Sequence, residues 1–143
     1  MFDYWFSWLG EYWGISYTYL TCALTEIPAA CPFLSVEREN VRTRARDQVG
    51  LRDIEFESEA FNRAFDVRSE DTQFARAFID ARMMQWMLEP GTDWAFQAAG
   101  GWLLCTRGQL PPSELGEALT VLEGFRAHVP RVVFDLYGSG STR

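Results

Sequence analysis

The spacing of apolar residues changes along this chain, and the change limits which folds the chain can adopt. Two long stretches, residues 72–89 and 113–129, repeat apolar residues at helical spacing. Other stretches are rich in Tyr, Thr, Val, Ile or Phe, or alternate apolar with polar residues, and predict strands: residues 15–24, 33–37, 54–57, 65–68 and 94–106. Strands mixed with two long helices predict an α+β fold, a small, mostly antiparallel sheet covered by two main helices.

Polar residues at the helix starts set the boundaries of the helical elements. Ser58 is expected to cap a short helix over residues 59–64, because its hydroxyl oxygen can accept from a free backbone N–H of the first turn. Ser69 or Asp71 is expected to cap helix 72–89 in the same way. Pro90-Gly91 is expected to end that helix, and residues 38–47 predict another short helix.

Glycine and proline mark the turns. Gly100-Gly101 separates two alternating runs and predicts a hairpin over residues 94–106, because a two-residue turn requires positive φ. The Pro-bounded residues 26–32 predict a loop. Pro130 is expected to stop the last helix, and residues 132–134 form either a strand or a helical turn.

The same patterns predict which side chains are buried. Residues 54–68 contribute four core anchors: Phe56, Phe61, Phe65 and Val67. Helix 72–89 is expected to bury one face: Phe74, Phe78, Ala81, Met84 and Leu88. The hairpin is expected to bury five alternating residues: Trp94, Phe96, Ala98, Leu103 and Cys105. The last helix is expected to bury six: Leu115, Ala118, Leu119, Leu122, Phe125 and Val129.

Length and composition narrow the class of protein. The 143 residues fit one domain over residues 15–137, after an aromatic segment of residues 1–14 and before a Gly/Ser tail of residues 138–143. An apolar fraction of 48% is incompatible with general disorder. The formal net charge of −7 argues against nucleic acid as a partner, because that binding needs a basic face.

The cysteines and the N-terminal aromatic residues bear on where the chain works. Cys22 and Cys31 are expected to be reduced thiols, with a bridge between them as the alternative in an exported chain. A stripe of apolar residues at helical spacing predicts either a helix packed on the domain or a helix lying on a membrane surface: Phe2, Trp5, Phe6, Leu9 and Trp13. The expected location is the cytoplasm, with the inner face of the membrane as the alternative.

The stretch Glu57–Asp71 follows the pattern E-S-x-x-F-x-x-x-F-x-V-x-S-x-D. This pattern, followed by a helix containing Ala75, resembles the uncharacterised bacterial family called domain of unknown function 3137. The resemblance extends over roughly residues 17–137. It implies a bacterial α+β domain and provides no catalytic residues, and many such relatives carry membrane-spanning helices before the domain.

Two charged clusters are candidates for chemistry. Asp53, Glu55 and Glu57 alternate with apolar residues, so on an extended chain their carboxylates share one face with that of Glu59. Such a row suits a hard divalent cation, and the other interpretation is a solvated strand face. Arg38, Arg42 and Arg46 have i, i+4, i+8 spacing and, on a helix, suit an anion such as phosphate.

The single histidine, His128, is expected to lie at the end of the last helix, where its partial positive charge favours the helix dipole.

The function preferred from these observations together is a non-enzymatic binding or scaffold module, without a cofactor, whose partner is another protein, a second copy or a membrane surface. The enzyme alternative is a metal-assisted hydrolase that uses the acidic residues 53–59.

Overall fold

The computed structural model describes residues 2–9, 15–38, 52–89 and 94–138. The strands are β1 Phe2–Leu9, β2 Ile15–Arg38, β3 Arg52–Asp53, β4 Phe65–Ser69 and β5 Ala95–Gly108. The α-helices are α1 Glu59–Ala64, α2 Thr72–Phe78, α3 Ala81–Met87, α4 Leu115–Ala127 and α5 Arg131–Tyr137. The α+β class is confirmed, and every strand pairing in the sheet is antiparallel.

Strand β2 pairs with three of the other four described strands. Its residues 20–22 pair with both β1 and β5, so those two strands lie on opposite edges of β2. Its residues 34–36 pair with both β4 and β5, so β4 and β5 are also on opposite edges. The short β3 pairs with β4. β5 therefore follows one edge of β2, while β1 and β4 share the other.

The pairing of β2 with β5 breaks in the middle. From Glu26 to Cys31 the chain advances five residues along β2, while the partners advance only from Trp102 to Gly100. The extra residues include Pro28, which has no N–H to donate to a ladder. The prediction of a loop at residues 26–32 is therefore wrong, because these residues stay within β2. The strand does, however, lose its regular register with β5 at this place.

The predicted hairpin over residues 94–106 is wrong. β5 continues through Gly100, which has φ +55°, and the positive φ forms an irregular bend in one strand. The strand folds back enough to place the Arg107 guanidinium carbon 5.9 Å from the Trp94 ring centroid. Thirteen residues of straight strand would span about 43 Å, so β5 is strongly bent.

The predicted buried face of this segment is nevertheless correct. An irregular step at Gly100 changes which alternate residues face the core, as a two-residue turn would also do. Even-numbered residues before it and odd-numbered residues after it therefore lie on the same side. All five predicted residues are fully buried: Trp94, Phe96, Ala98, Leu103 and Cys105.

The helices pack on that core face of the sheet. Helix α4 contacts β2 and β5, α5 contacts β2, and α2 contacts β4. The Phe125 ring of α4 lies 4.9 Å from the Phe96 ring of β5, centroid to centroid. Residues paired directly across an antiparallel ladder share a face. The opposite face of the sheet therefore carries the pairs Leu24–Leu104, Glu26–Trp102 and Ser35–Gln97.

Helix 72–89 is in fact two helices. Asp71, and not Ser69, caps α2 by accepting from Phe74 N at 3.1 Å. Asp80 caps α3 by accepting from Met83 N at 2.9 Å. An aspartate that bonds the backbone in this way competes with the continuing helix, so the break falls at Ile79–Asp80.

The break changes the buried face of this region. Phe74 and Phe78 are buried as predicted, but Ala81 is exposed and Met84 and Leu88 are only half-buried. Their predicted places in the core are taken by three other residues: Ile79, Met83 and Met87. The predicted end at Pro90-Gly91 lies outside the described residues.

The C-terminal helices follow the prediction closely. A 3-10 turn over Pro112–Glu114 leads into α4, and Ala118, Leu122, Phe125 and Val129 are buried. Leu115 is half-buried and Leu119 is 43% exposed, so Leu119 does not belong to the buried face. Residues 132–134 are helical, within α5. Gly138 forms a β-bridge with Ala29, and the rest of the tail lies outside the described residues.

The N-terminal stripe is not helical. Phe2, Trp5, Phe6 and Leu9 lie in β1, which pairs in register with β2 from Phe2–Cys22 to Leu9–Ile15. Aromatic residues favour strands, and the Tyr- and Thr-rich start of β2 supplies the partner. Trp13 lies outside the described residues. No helix in the described ranges is both long and apolar enough to cross a membrane.

Candidate functional site

In the described part of the chain, the acidic stretch 53–57 forms no cluster of three potential metal ligands. Asp53 ends β3, where its backbone is the partner of Arg68, while Glu55 and Glu57 are exposed. Ile54 and Phe56 between them are buried, so the predicted alternation is confirmed, although the strand itself covers only residues 52–53. No three His, Cys, Asp or Glu residues among those described are close enough to hold a metal ion.

The motif residues that follow have structural roles. Ser58 caps α1 by accepting from Phe61 N at 3.2 Å, as predicted. Asn62 holds the preceding segment, because its side chain accepts from Phe56 N at 2.8 Å and donates to Phe56 O at 2.7 Å. Phe61 is fully buried and meets the Phe56 ring edge-on, with centroids 5.5 Å apart.

Ser69 joins two distant parts of the chain. Its hydroxyl donates to Phe33 O at 2.6 Å and accepts from Asp71 N at 3.1 Å. Glu70 adds to this junction, because its side chain accepts from Phe33 N at 2.9 Å. The conspicuous polar residues of the motif thus fix the corner between β2, β4 and α2, which agrees with their predicted folding roles.

Strand β4 also carries a buried ion pair that sequence reasoning missed. The Arg68 Nε atom lies 3.1 Å from Asp66 Oδ2, and the two side chains are only 9% and 5% exposed. Their strand partners are Ser35 and Glu37, which place the pair on the sheet face away from the helices. Opposite charges two residues apart on a strand share a face, and that spacing was the available signal.

The arginine cluster does not form the expected helical face. Arg38 is the last residue of β2, and its guanidinium carbon lies 4.5 Å above the centroid of the Phe65 ring. Because Arg38 lies in a strand, the helical spacing to Arg42 and Arg46 does not apply to it. Arg42 and Arg46 lie outside the described residues.

His128 lies at the predicted position, the end of a helix. It forms the C-cap of α4, with Nδ1 2.7 Å from the Gly124 carbonyl oxygen, which accepts the hydrogen bond. Its ring stacks on Trp86, with centroids 5.2 Å apart and an interplanar angle of 20°. The histidine therefore joins α3 to the end of α4.

The three cysteines are free and buried, so the alternative Cys22–Cys31 bridge is absent from the structure. Burial raises the pKa of the Cys31 thiol to about 11 and raises the pKa of Cys105 even more. The pKa of Cys22 is also raised by burial. Only the thiolate is a strong nucleophile, so these side chains act at neutral pH as small apolar groups.

The sheet face away from the helices contains a shallow apolar depression of about 260 Å³. Trp102 is 47% exposed there, although Leu104 on the same face is half-buried. Five residues line the depression: Leu24, Gln97, Ala99, Trp102 and Leu104. Four are apolar and none is ionisable, so the depression is suited to an apolar side chain.

This depression lies beside an edge of the sheet. Within the described ranges, β5 pairs with β2 and with no other strand. Its 14 residues contain no proline, and Arg107 is the one charged residue among them. Proteins usually protect a long edge with charges or proline, since its free N–H and C=O groups can bind another strand.

Comparison of the chain with protein-family models, with curated proteins and with solved structures finds no match. The resemblance to domain of unknown function 3137 therefore stays a prediction. The depression at Trp102 and the adjoining edge of β5 are the surface features from which a function can be argued.

Proposed function

We propose that this chain is a non-enzymatic binding module that takes an extended polypeptide segment along the outer edge of β5. The observation that carries the proposal is the position of the apolar depression directly beside that edge. In strand addition, main-chain hydrogen bonds provide affinity, and pockets for alternate side chains provide specificity. The outer edge of β5 would supply the main-chain hydrogen bonds, and the depression at Trp102 would supply the side-chain pocket.

The chemistry of the depression favours binding over catalysis. Its lining offers one amide, on Gln97, and no carboxylate, imidazole or thiol. Trp102 provides a large, rigid apolar surface that is half exposed, and tryptophan is enriched among residues that dominate binding energy. The resemblance to domain of unknown function 3137 names no ligand and does not restrict this proposal.

An NMR titration with a peptide of alternating Thr and Val tests the proposal. We expect the amide shifts to change mainly in residues 101–107 of β5. Trp102→Ala is expected to raise the Kd about tenfold, because removal of a central aromatic contact typically costs roughly 1–2 kcal/mol. Leu136→Ala is the matched control, since Leu136 is a similarly exposed apolar residue on α5, a helix that packs on the other face.

A second peptide separates strand addition from general stickiness. It has the same sequence with every backbone nitrogen methylated, which removes the N–H donors from both edges of the peptide. We expect no binding of this peptide. Equal binding of both peptides, or shift changes centred outside β5, would contradict the proposal.

A further inference from the structure

We infer that the segment bound along β5 is β5 of a second copy of this chain, related by a twofold axis near Leu103. The inference rests on the proposed function, because it names the partner of the same edge. A twofold contact uses the same patch on both copies, so the patch must complement itself. The residues after the bend at Gly100 have this property.

The self-complementarity lies in the alternation of Trp102 and Leu104. If residues 101–105 of two copies pair antiparallel about Leu103, Trp102 of each copy lies directly opposite Leu104 of the other. Both residues lie on the sheet face that carries the depression. An aromatic residue opposite an aliphatic residue is a favourable cross-strand pair, and this register forms two such pairs.

Charge favours the same register. The chain carries a formal net charge of −7, so two copies approach with least repulsion where the surface is nearly uncharged. The one charge of β5, Arg107, lies beyond the paired residues 101–105 and away from Arg107 of the second copy. Arg107 is moreover paired within its own chain, because its Nη1 atom lies 3.1 Å from Glu117 Oε1.

The bend at Gly100 limits the paired residues to 101–105, in the second arm of β5. An interface of this extent is small, and small interfaces are usually weak. The dimer is therefore expected to be weak, and its population should fall on dilution.

Sedimentation velocity of the full chain over a concentration series tests the inference with two charge variants. A homodimer of Trp102→Lys would place the new lysine opposite Leu104 at both sites, and a homodimer of Leu104→Glu would place the new glutamate opposite Trp102 at both sites. Both variants are therefore expected to stay monomeric. In a mixture of the two, one site joins lysine to glutamate and the other keeps Leu104 opposite Trp102. The mixture is therefore expected to dimerise at least tenfold more tightly than either variant alone.

Leu136→Lys is the control and is expected to dimerise like the wild type, because it adds a charge on the helix side. Hydrogen exchange of the wild type provides a measurement that does not depend on variant folding: the amides among residues 101–105 that point to the outer edge should gain protection as concentration rises. A wild type that stays monomeric at millimolar concentration overturns the inference. So does a dimer that persists in both variants, or a mixture that fails to restore it.

The outcomes also separate this inference from the proposed function. If the wild type is monomeric but the Thr-Val peptide still binds at β5, the second copy is the wrong partner and the binding edge remains. If the peptide does not bind and the dimer persists in Trp102→Lys, both proposals fail.

Discussion

At the scale of single residues, the contact between Gly124 and Trp86 fixes how α3 packs against α4. The Trp86 ring lies between α4 and β5: it is stacked on Phe125 at 6.2 Å and tilted against Phe96 at 5.4 Å, centroid to centroid. A Cβ atom at Gly124 would lie 2.7 Å from Cζ2 of Trp86. Glycine in the middle of a helix normally weakens it, so this glycine is present for the close approach of the ring.

Gly124→Ala is expected to lower the free energy of unfolding by about 1–3 kcal/mol, because overpacking a well-filled core costs that much. The gain in helix propensity, about 1 kcal/mol, opposes the loss. Gly116→Ala is the matched control in the same helix, since a Cβ there meets nothing within 4 Å. It is expected to stabilise the protein, and urea unfolding measures both. A stabilised Gly124→Ala would show that the Trp86 ring moves freely.

Sequence reasoning succeeded at residues whose role is local. The cap at Ser58 and the burial of Phe61 were predicted because a cap and a helical period depend on neighbours in the chain. The close approach of Trp86 to Gly124 could not be predicted in this way, since the two residues are 38 positions apart. The ion pair of Asp66 and Arg68 was missed because alternation suggested that both face solvent.

At the scale of elements, the double glycine in β5 shows where local patterns become ambiguous. Two alternating runs joined by Gly100-Gly101 fit a hairpin, and they also fit one strand with an irregular bend. Both arrangements bury the same five side chains. The long-range pairing with β2 decides between them, and no local signal contains it. The prediction of one helix over residues 72–89 was wrong for a related reason, because the apolar spacing continues across the cap at Asp80.

The bend at Gly100 leads to a prediction. Gly100→Ala is expected to cost about 1–2 kcal/mol of unfolding free energy, because an L side chain is strained at φ +55° even though space is open. Gly100→Asn should cost less, since asparagine tolerates this region. Gly101→Ala is the control, because its Cβ would make only ordinary contacts, the nearest at 3.5 Å from Ile27 O. Equal costs at both positions in thermal unfolding would refute the assigned role of the positive φ.

At the scale of the whole molecule, the two faces of the sheet carry different kinds of residue. The helix side holds the aromatic core, and the other side holds the Asp66–Arg68 pair and the depression at Trp102. The α+β class was predictable because it follows from two apolar periods. The depression was not recognised as a site, although Trp102 and Leu104 are apolar residues on the face predicted to point away from the core. That contradiction was the available signal.

Stability is expected to fall in alkali because of the buried thiols. Burial raises the pKa of Cys31 from 9.0 to about 11, so its stabilising contribution is complete below pH 9 and is lost as the pH rises to about 11. A shift of this size corresponds to roughly 2–3 kcal/mol. Guanidinium unfolding at pH 8 and pH 11 should show a smaller fall for Cys31→Ala than for the wild type. An unchanged fall would mean that Cys31 is not responsible.

The order of β2 and β5 along the chain has a consequence for biosynthesis. β2 ends at residue 38, whereas β5, which pairs with β2 between residues 20 and 36, ends at residue 108. At roughly 5–20 residues per second, the ribosome releases β2 several seconds before its main partner. During that interval β2, which has 24 residues and is rich in apolar side chains, lacks the strand with which it forms its longest ladder. A nascent chain stalled before residue 95 should therefore depend on chaperones more than the finished protein does.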